Sequence, residues 1–452
     1  MSLETASPRT ALGVLGLWHL GSVTAACLAQ AAGPVVGVDP DRGVIEGLAH
    51  ARPPVAEPGL GELIAEQLAA GRLRFDSDRQ QLADVAQAWV TFDTPVDEDD
   101  HADVEWVLAT AAELLEPLPT ETLVVVSSQL PVGSVAALEA RAAATRGSHD
   151  LRFASVPENL RLGQALEAFR HPDRIVAGVS SERDRAELAA TLAPLGGEIE
   201  WMRVESAEMT KHALNGFLAT SIAYINEIAG VCEAVGADAA EVARGLKSER
   251  RIGPRAYLAP GDAFAGGTLA RDVGFLRELA QRHAVPGHVF TGVAEGNDAH
   301  KLWTRRMLVH LLGGSAEAAQ PLAGATVAVW GLTYKPGTDT LRRSLALELC
   351  AWLVGAGALV RAHDPVVSAL PEENAAGVEL CADAVDAAAG ADALVLATAW
   401  PQFREHAAAA VAAMRRPVVV DPAGFLAQAL AGTDAVYARV GTPALEPAGS
   451  TP

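Results

Sequence analysis

The residues near the start of the chain with the clearest chemical potential form a glycine-rich turn, Gly16-Leu17-Trp18-His19-Leu20-Gly21. The apolar run Ala11–Leu17 predicts a strand into this turn, and Ser22–Ala32 predicts a helix after it. Gly16 permits a tight turn and Gly21 permits close helix–strand packing, so the helix N-terminus can face a pyrophosphate. The middle glycine of such motifs is replaced by Trp18, which must point away or shift the ligand outward.

An acidic residue follows the second predicted strand, Pro34–Val38. Asp39 lies 23 residues after Gly16. A carboxylate at this place can accept both hydroxyls of a ribose and would repel a 2′-phosphate, which favours NAD over NADP. The turns Thr94-Pro95 and Pro131-Val132-Gly133 follow two more apolar strands, at the carboxyl ends where ligands gather in parallel sheets.

The elements that must position these residues alternate between strands and helices in both end regions of the chain. This rhythm predicts an α/β fold with two Rossmann-like, doubly wound parallel-sheet domains. Between them, apolar residues from Ser206 to about Gly236 fall at helical spacing without a proline, which predicts one long helix. Such helices often join domains and carry a subunit interface. The predicted domains are 1–204, a central helical domain 205–316, a second Rossmann-like domain 317–440 and a disordered tail 441–452.

Composition narrows the classes of partner. The net charge of −21 repels nucleic acid and anionic membranes. The four cysteines form no CxxC pair, which is typical of a reducing compartment. No leader segment and no apolar run of membrane-spanning length is evident, so a cytoplasmic location is predicted. No metal site is predicted, because the 12 histidines are scattered and Asp97–Asp100 is best interpreted as a solvated loop.

Many segments, in order, resemble the UDP-glucose/GDP-mannose dehydrogenase family: GLWHLG, VDPDRG, EPGLGEL, DTPVDED, QLPVGS, PENLRLG, HPDRIVAG, SAEMTKHALNGFLATSIAYINEIA, GADAAEVARG, RIGP, FAGGTLARDV and GLTYKPGTDTLRRS. The resemblance covers nearly the whole chain. It implies an NAD-binding N-terminal domain, a helical centre that forms a homodimer, and a C-terminal domain that helps to bind a nucleotide-sugar. The family's usual chemistry oxidises a sugar CH₂OH twice with two NAD⁺, through an aldehyde held as a thiohemiacetal and a thioester on a cysteine.

The resemblance also assigns four catalytic residues. Glu158 resembles a glutamate that acts as a general base late in the reaction. Lys211 and Asn215 lie four residues apart, so one helix face presents both, the lysine to hold an oxyanion and the amide to orient a water. Asp272 resembles the aspartate that partners this water or lysine in the first proton removal.

Binding residues follow from the same motifs. Arg251 resembles an arginine that reaches the sugar across the dimer, and Lys335 and Arg342 resemble C-terminal cations at ligand and cofactor. The candidate cofactor-binding residues are Gly16, Trp18, His19, Leu20, Gly21, Asp39, Thr94, Pro95, Gln129 and Arg342. The candidate substrate-binding residues are Arg161, Arg251, Gly266, Gly267, Thr268 and Lys335.

One departure concerns the cysteine. The family loop reads Gly-Gly-Ser-Cys, two residues, then Lys-Asp, whereas residues 266–272 here read GGTLARD, one residue shorter and without a cysteine. Thr268 or Leu269 occupies the place. Leucine cannot attack a carbonyl, and the pKa of a threonine hydroxyl lies far above that of a thiol. A second departure is Gln129, where the family usually has a threonine near the reacting sugar.

Without a thiol, removal of a hydride stays possible but the four-electron route should be impaired. Three outcomes are open: the enzyme stops at an aldehyde or ketone, it oxidises an aldehyde hydrate directly, or it returns the hydride after an intervening step. The last would make it a redox-neutral dehydratase or epimerase with tightly held NAD, acting on a nucleotide-sugar or a nucleoside. A degenerate binding homologue is the non-enzymatic alternative.

Overall fold

The computed structural model describes residues 11–97, 102–265 and 267–443. The chain forms two compact units, residues 1–214 and residues 215–452. Most of the predicted disordered tail, from residue 444, lies outside the described residues. Gly441, the first residue of that predicted tail, makes two hydrogen bonds through its backbone. Its N–H donates to Glu233 Oε1 at 2.8 Å, and its carbonyl accepts the Ala239 N–H at 2.8 Å.

The first unit contains an eight-stranded sheet. Its strands are Leu12–Leu15 (β1), Val35–Val38 (β2), Leu73–Asp76 (β3), Gln87–Val90 (β4), Leu123–Val126 (β5), Arg152–Ser155 (β6), Arg174–Gly178 (β7) and Glu198–Met202 (β8). Its helices are His19–Ala31 (α1), Arg42–Ala49 (α2), Leu60–Ala69 (α3), Val104–Leu114 (α4), Ser134–Arg146 (α5), Ala165–Arg170 (α6) and Glu182–Leu192 (α7), followed by the start of Val204–Val235 (α8).

The strand order is β3-β2-β1-β4-β5-β6-β7-β8. Pairing is parallel except between β6 and β7, which meet antiparallel at Ser155 and Gly178. Valine-rich strands such as β5 are buried throughout, because helices cover both faces of the sheet. Alternate residues of β1 enter opposite cores: Val14 packs on one face and Leu15 on the other. The predicted doubly wound architecture is confirmed.

The second unit contains a six-stranded, all-parallel sheet with the order β11-β10-β9-β12-β13-β14. These strands are Thr326–Trp330 (β9), Leu359–His363 (β10), Val378–Leu380 (β11), Ala393–Leu396 (β12), Val418–Val420 (β13) and Val436–Ala438 (β14). The helices after α8 are Ala239–Ser248 (α9), Thr268–Arg282 (α10), His288–Lys301 (α11), Trp303–Leu312 (α12), Leu345–Gly355 (α13), Glu372–Ala375 (α14), Ala384–Ala388 (α15) and Phe403–Ala413 (α16).

The predicted long helix is confirmed as α8, with 32 residues. By length and composition alone it could cross a membrane, which corrects the expectation that no segment has these properties. Its most apolar window is 39% buried. Its polar side chains also find protein partners, as described below.

The second unit contains most of the predicted central domain and the whole of the predicted second Rossmann-like domain, since the helices α9–α12 and the second sheet share one compact body. A core cluster illustrates this sharing. It combines Ala229 of α8 and Trp303 of α12 with Val327 of β9 and Leu353 of α13. The division into three domains stays a prediction.

The turn from β1 into α1 has no room for a side chain at Gly21. A Cβ there would lie 1.7 Å from the Gly16 carbonyl oxygen. We therefore expect Gly21→Ala to lower the free energy of unfolding by at least about 3 kcal/mol. Gly245→Ala is the control, because nothing lies within 4 Å of its Cβ position on helix α9. That change should raise stability by about 0.5–1 kcal/mol. Denaturant unfolding of the full chain measures both, and a fully stable Gly21→Ala variant would contradict this packing.

Candidate active site

The β1–α1 turn has the geometry that the sequence predicts for a dinucleotide site. Gly16 adopts φ +87°, a conformation that favours glycine. The Thr91 hydroxyl donates to the Gly16 carbonyl at 2.8 Å and the Ser22 hydroxyl donates to the Leu17 carbonyl at 2.6 Å, which fixes the turn. The turn thereby presents the N-terminus of α1 at the carboxyl end of the sheet.

Trp18 replaces the middle glycine at a position where φ is negative. It precedes α1 with φ −68°, so this position does not require glycine's conformational freedom. Its side chain is 49% exposed. The indole therefore adds bulk at the surface of the turn, where the sequence motif would leave the backbone open to the ligand.

Asp39 lies where a ribose-binding carboxylate is expected, at the end of β2. Its Oδ2 accepts the Leu17 N–H at 2.6 Å and its other oxygen accepts the Asp41 N–H at 2.8 Å. Burial raises the pKa of Asp39, and the two hydrogen bonds oppose this rise. Each carboxylate oxygen has a second lone pair, so ribose hydroxyls can still be bound. The turn and Asp39 together fit the adenosine side of NAD.

Sequence reasoning missed a second carboxylate at this helix. Asp93 lies three residues beyond β4, and its Oδ2 accepts the Leu20 N–H at 3.2 Å. Strand β4 is the parallel neighbour of β1, so the residues after it reach the N-terminus of α1. Only the spacing after the apolar strand could have indicated this contact.

His19 has a carboxylate partner that sequence reasoning also missed. Its Nε2 lies 3.0 Å from Glu57 Oε2. The buried Glu57 also accepts the N–H groups of Gly163 and Ala165, both at 2.8 Å. Glu57 therefore links the start of α1 to the loop that enters α6, and His19 serves this link in the structure. Arg161, on the same loop, is exposed.

Two predicted catalytic residues of the first unit form an ion pair. Lys211 Nζ lies 3.1 Å from Glu158 Oε1 and donates to the Glu158 carbonyl at 2.7 Å. Glu158 Oε2 accepts the Leu160 N–H at 2.7 Å, which holds the carboxylate in place. Both side chains line a small cavity of about 10 Å³ together with Gln129. The pair combines a cation that can hold an oxyanion with a carboxylate that can accept a proton.

Glu208, one turn before Lys211 on α8, anchors this part of the helix. Its two oxygens accept the N–H groups of Gly133 at 2.8 Å and Val135 at 2.9 Å, at the start of α5. Burial raises the pKa of Glu208, and these hydrogen bonds oppose the rise. The role of this glutamate is positional, since it fixes where α8 presents Lys211.

The residues after β4 and β5 are only partly as expected. The Thr94 hydroxyl donates to the Gln129 carbonyl at 2.7 Å and is buried, so it joins the two strand ends. Pro95 is exposed. Gln129, a predicted cofactor-binding residue, lines the small cavity beside Lys211.

The other two predicted catalytic residues meet in the second unit. The Asn215 Nδ2 donates a short hydrogen bond to Asp272 Oδ2. Asp272 is completely buried on α10. Thr268 is the first residue of that helix and is exposed, one turn before Asp272. Gly267 caps the helix with φ +102°, and Gly266 lies outside the described residues.

A cavity of about 690 Å³ lies within the second unit. Its lining includes the predicted Lys335, with Tyr334 and Thr333 after β9. The lining also includes residues of helices and of the loop before α10, and its further cationic residues are Lys247, Lys301 and Arg305. His300 lines the cavity too, but burial lowers its pKa. A diphosphate group needs such a concentration of positive charge in an acidic protein.

Two predicted arginines are exposed away from this lining. Arg251 has an 88% exposed side chain and pairs with Glu249 Oε1 at 3.0 Å. Arg342 is exposed in the segment before α13. Their roles stay predictions.

An unexpected carboxylate, Asp262, lines the same cavity. Desolvation by the surrounding protein raises the pKa of Asp262 to about 7, although the residue is partly open to solvent, and the charge of Asp421 adds to this rise. Asp421 is completely buried, with one oxygen bound by Leu426 N–H at 2.6 Å and by the Tyr437 hydroxyl at 2.5 Å. Sequence reasoning passed over Asp262, because a single acid in a loop carries no pattern.

The cysteines lie in hydrophobic cores or at a sheet edge. Cys27 belongs to the core of the first unit, and Cys232 and Cys350 to a core of the second. Burial raises the pKa of the Cys27 and Cys350 thiols to about 12. Cys381 is half-buried next to β11, and burial raises its pKa as well.

Family models match three consecutive parts of the chain. Residues 10–195 match the NAD binding domain of the UDP-glucose/GDP-mannose dehydrogenase family, residues 205–299 its central domain, and residues 328–428 its UDP binding domain. The chain belongs to this family. Its glycine turn and Asp39 are therefore part of an NAD-binding domain, and Lys335 belongs to a UDP-binding domain.

Similar proteins match this chain over most of the length of both proteins. The UDP-glucose 6-dehydrogenase of Pseudomonas aeruginosa is 36% identical over 96% of this chain and 97% of its own. That of Rhizobium meliloti is 36% identical over 86% of this chain and 90% of its own. A solved UDP-glucose dehydrogenase of Pyrobaculum islandicum has a TM-score of 0.82 and 29% identity, and the match covers 98% of this chain and 100% of that one.

The raised pKa of Asp262 predicts that the affinity of the cavity for anionic ligands depends on pH. Below about pH 7 the carboxyl group is mostly neutral, and above it the group adds a negative charge to the lining. Affinity for UDP should therefore fall several-fold from about pH 6 to about pH 8, beyond the change in UDP's own ionisation. Asp262→Asn should remove this additional fall, and titration calorimetry of both proteins measures it. Equal pH profiles would show that Asp262 does not titrate near the ligand. Glu372→Gln, on the exposed helix α14, is the control.

Proposed function

We propose that this protein is an NAD-dependent oxidoreductase that oxidises a sugar hydroxyl of a nucleotide-sugar or nucleoside without a covalent thioester. The single observation that supports a reaction without a thioester is the loop before Asp272, which contains no cysteine in the sequence. The assignment as an NAD-dependent oxidoreductase rests on the family and on the presence of Lys211, Glu158, Asn215 and Asp272.

NAD supplies the hydride acceptor when bound. The chain must supply the rest: an acceptor for the hydroxyl proton and positive charge for the developing oxyanion. Lys211 is suited to the second task, because its ammonium group is held by Glu158 at 3.1 Å. Glu158, and the buried Asp272 with its Asn215 donor, are the candidate proton acceptors. Lys211 and Asp272 keep the roles that the family motifs indicate, whereas Glu158 becomes a candidate in the first proton removal as well as late in the reaction.

Thr268 does not replace the cysteine as a nucleophile in this proposal. Its hydroxyl stays protonated at neutral pH, whereas a thiol at a helix N-terminus can ionise. The buried thiols of Cys27 and Cys350, with a pKa of about 12, are also poor nucleophiles. The loop before Asp272 therefore offers an aldehyde no thiol to hold it.

Product analysis tests the proposed net reaction. The full chain is incubated with NAD⁺ and a panel of nucleotide-sugars and nucleosides, and NADH and product mass are followed together. We expect loss of two hydrogens with one NADH per turnover. Loss of water without NADH would identify a redox-neutral dehydratase, and an unchanged mass with inverted stereochemistry would identify an epimerase. Gain of oxygen with two NADH would contradict the two-electron proposal.

Variants separate the chemistry from the fold. Lys211→Met should lower turnover at least about 100-fold, because the oxyanion loses its cation. Thr268→Ala should keep turnover within about threefold if its hydroxyl is not a nucleophile. Thr268→Cys restores a thiol, and trapping by an alkylating reagent reports whether it ionises. Full activity of Lys211→Met on the true substrate would refute the assignment of Lys211. If the wild type turns over no compound of the panel, the result would favour a binding homologue.

We also propose that the protein is a homodimer through α8. The helix exposes large apolar side chains seven residues apart, Phe217 at 68%, Tyr224 at 48% and Val231 at 59%. Such a stripe is costly in water and typical of an interface. Light scattering should give twice the chain mass for the wild type, and about one chain mass for Val231→Glu. Val366→Glu, at another exposed valine, should stay dimeric. A monomeric wild type would refute the interface.

A further inference from the structure

The N-terminus of α1 already holds an anion from the chain itself. In Rossmann domains the first N–H groups of this helix point at the cofactor's pyrophosphate. Here the N–H of Leu20, the second residue of α1, donates to Asp93 Oδ2 at 3.2 Å. A carboxylate and a phosphate oxygen are both anionic acceptors, so they compete for this donor.

Local structure explains why a distant carboxylate takes this place. The residue before the helix, Trp18, makes no side-chain capping hydrogen bond, and the first turn of α1 has no acidic residue. An N–H there has no acceptor within the helix, so any nearby carboxylate is attracted. Asp93 arrives because β4 and β1 run side by side in parallel.

We propose that Asp93 is an internal competitor of the NAD pyrophosphate, and that the cofactor must displace it from Leu20 N–H to bind. Asp93 thereby weakens NAD binding and makes it more sensitive to salt. The side chain is exposed, so a displaced carboxylate stays in contact with water. The inference rests on NAD binding by this domain, and it is independent of the net reaction proposed above.

Asp93 and Trp18 affect the cofactor by different physical means. Asp93 acts through charge, so its effect depends on phosphate in the ligand and on salt. Trp18 acts through bulk, which salt does not screen. A ligand without phosphate separates the two effects, because adenosine shares the base and ribose of NAD but carries no charge.

The first test is the equilibrium binding of NAD⁺ to the full chain by titration calorimetry. Asp93→Asn retains an oxygen acceptor for Leu20 N–H but removes the charge. We expect it to bind NAD⁺ about tenfold more tightly than the wild type, and ADP likewise, with unchanged affinity for adenosine. The gain should shrink as salt rises. Because no turnover is needed, failure of the proposed reaction would leave this result unaffected.

Asp78→Asn is the matched control. Asp78 also accepts a backbone N–H at a helix start, Gln80 N at 2.9 Å, but at the edge of the sheet after β3. It should bind NAD⁺ like the wild type. Asp93→Ala is the second variant, and thermal unfolding of each protein reports its fold. Unchanged or weaker NAD⁺ binding by folded Asp93→Asn would overturn the proposal, as would equal gains for NAD⁺ and adenosine.

Discussion

The chain has no room for a single carbon at the turn from β1 into α1. The Gly16 carbonyl and Gly21 approach so closely that a Cβ would lie 1.7 Å from the oxygen. This contact sets the start of α1 against the sheet, and the start of α1 is where Asp93 accepts the Leu20 N–H and where Rossmann domains bind a pyrophosphate. Because β2 and β4 flank β1, their carboxyl ends bring Asp39 and Asp93 to the same turn.

Helix α8 imposes the second constraint. Its first turns belong to the first unit, where Glu208 binds the N–H groups at the start of α5 and Lys211 binds Glu158. Its later turns belong to the second unit, where Asn215 binds the buried Asp272. Each unit therefore receives its polar groups from its own turns of the helix. Several polar side chains of this apolar helix thus have partners within their own unit.

An acidic protein that binds anionic ligands has to manage its carboxylates. Here many of them accept backbone N–H groups: Asp39 at the β1–α1 turn, Glu57 at the loop before α6 and Glu208 at α5. Such bonds stabilise the ionised forms and fix the loops around the ligand sites. Asp262 differs in its place, because it lines the basic cavity, and desolvation raises its pKa as it does those of Asp39 and Glu208. Local electrostatics at each site, rather than the net charge of −21, therefore governs anion binding.

The sequence by itself determined the α/β class, the glycine turn with Asp39, the long helix and the two sheets. Each of these depends on local patterns: apolar periodicity, glycine positions and the acid at a strand end. Tertiary structure alone decided that Thr94 joins the ends of β4 and β5 and that Glu158 forms an ion pair with Lys211. It also decided that Asp93 lies at the start of α1 and that Asp262 lines the cavity of the second unit. These contacts join residues far apart in the chain, and strand order and loop paths bring them together, so no local pattern encodes them.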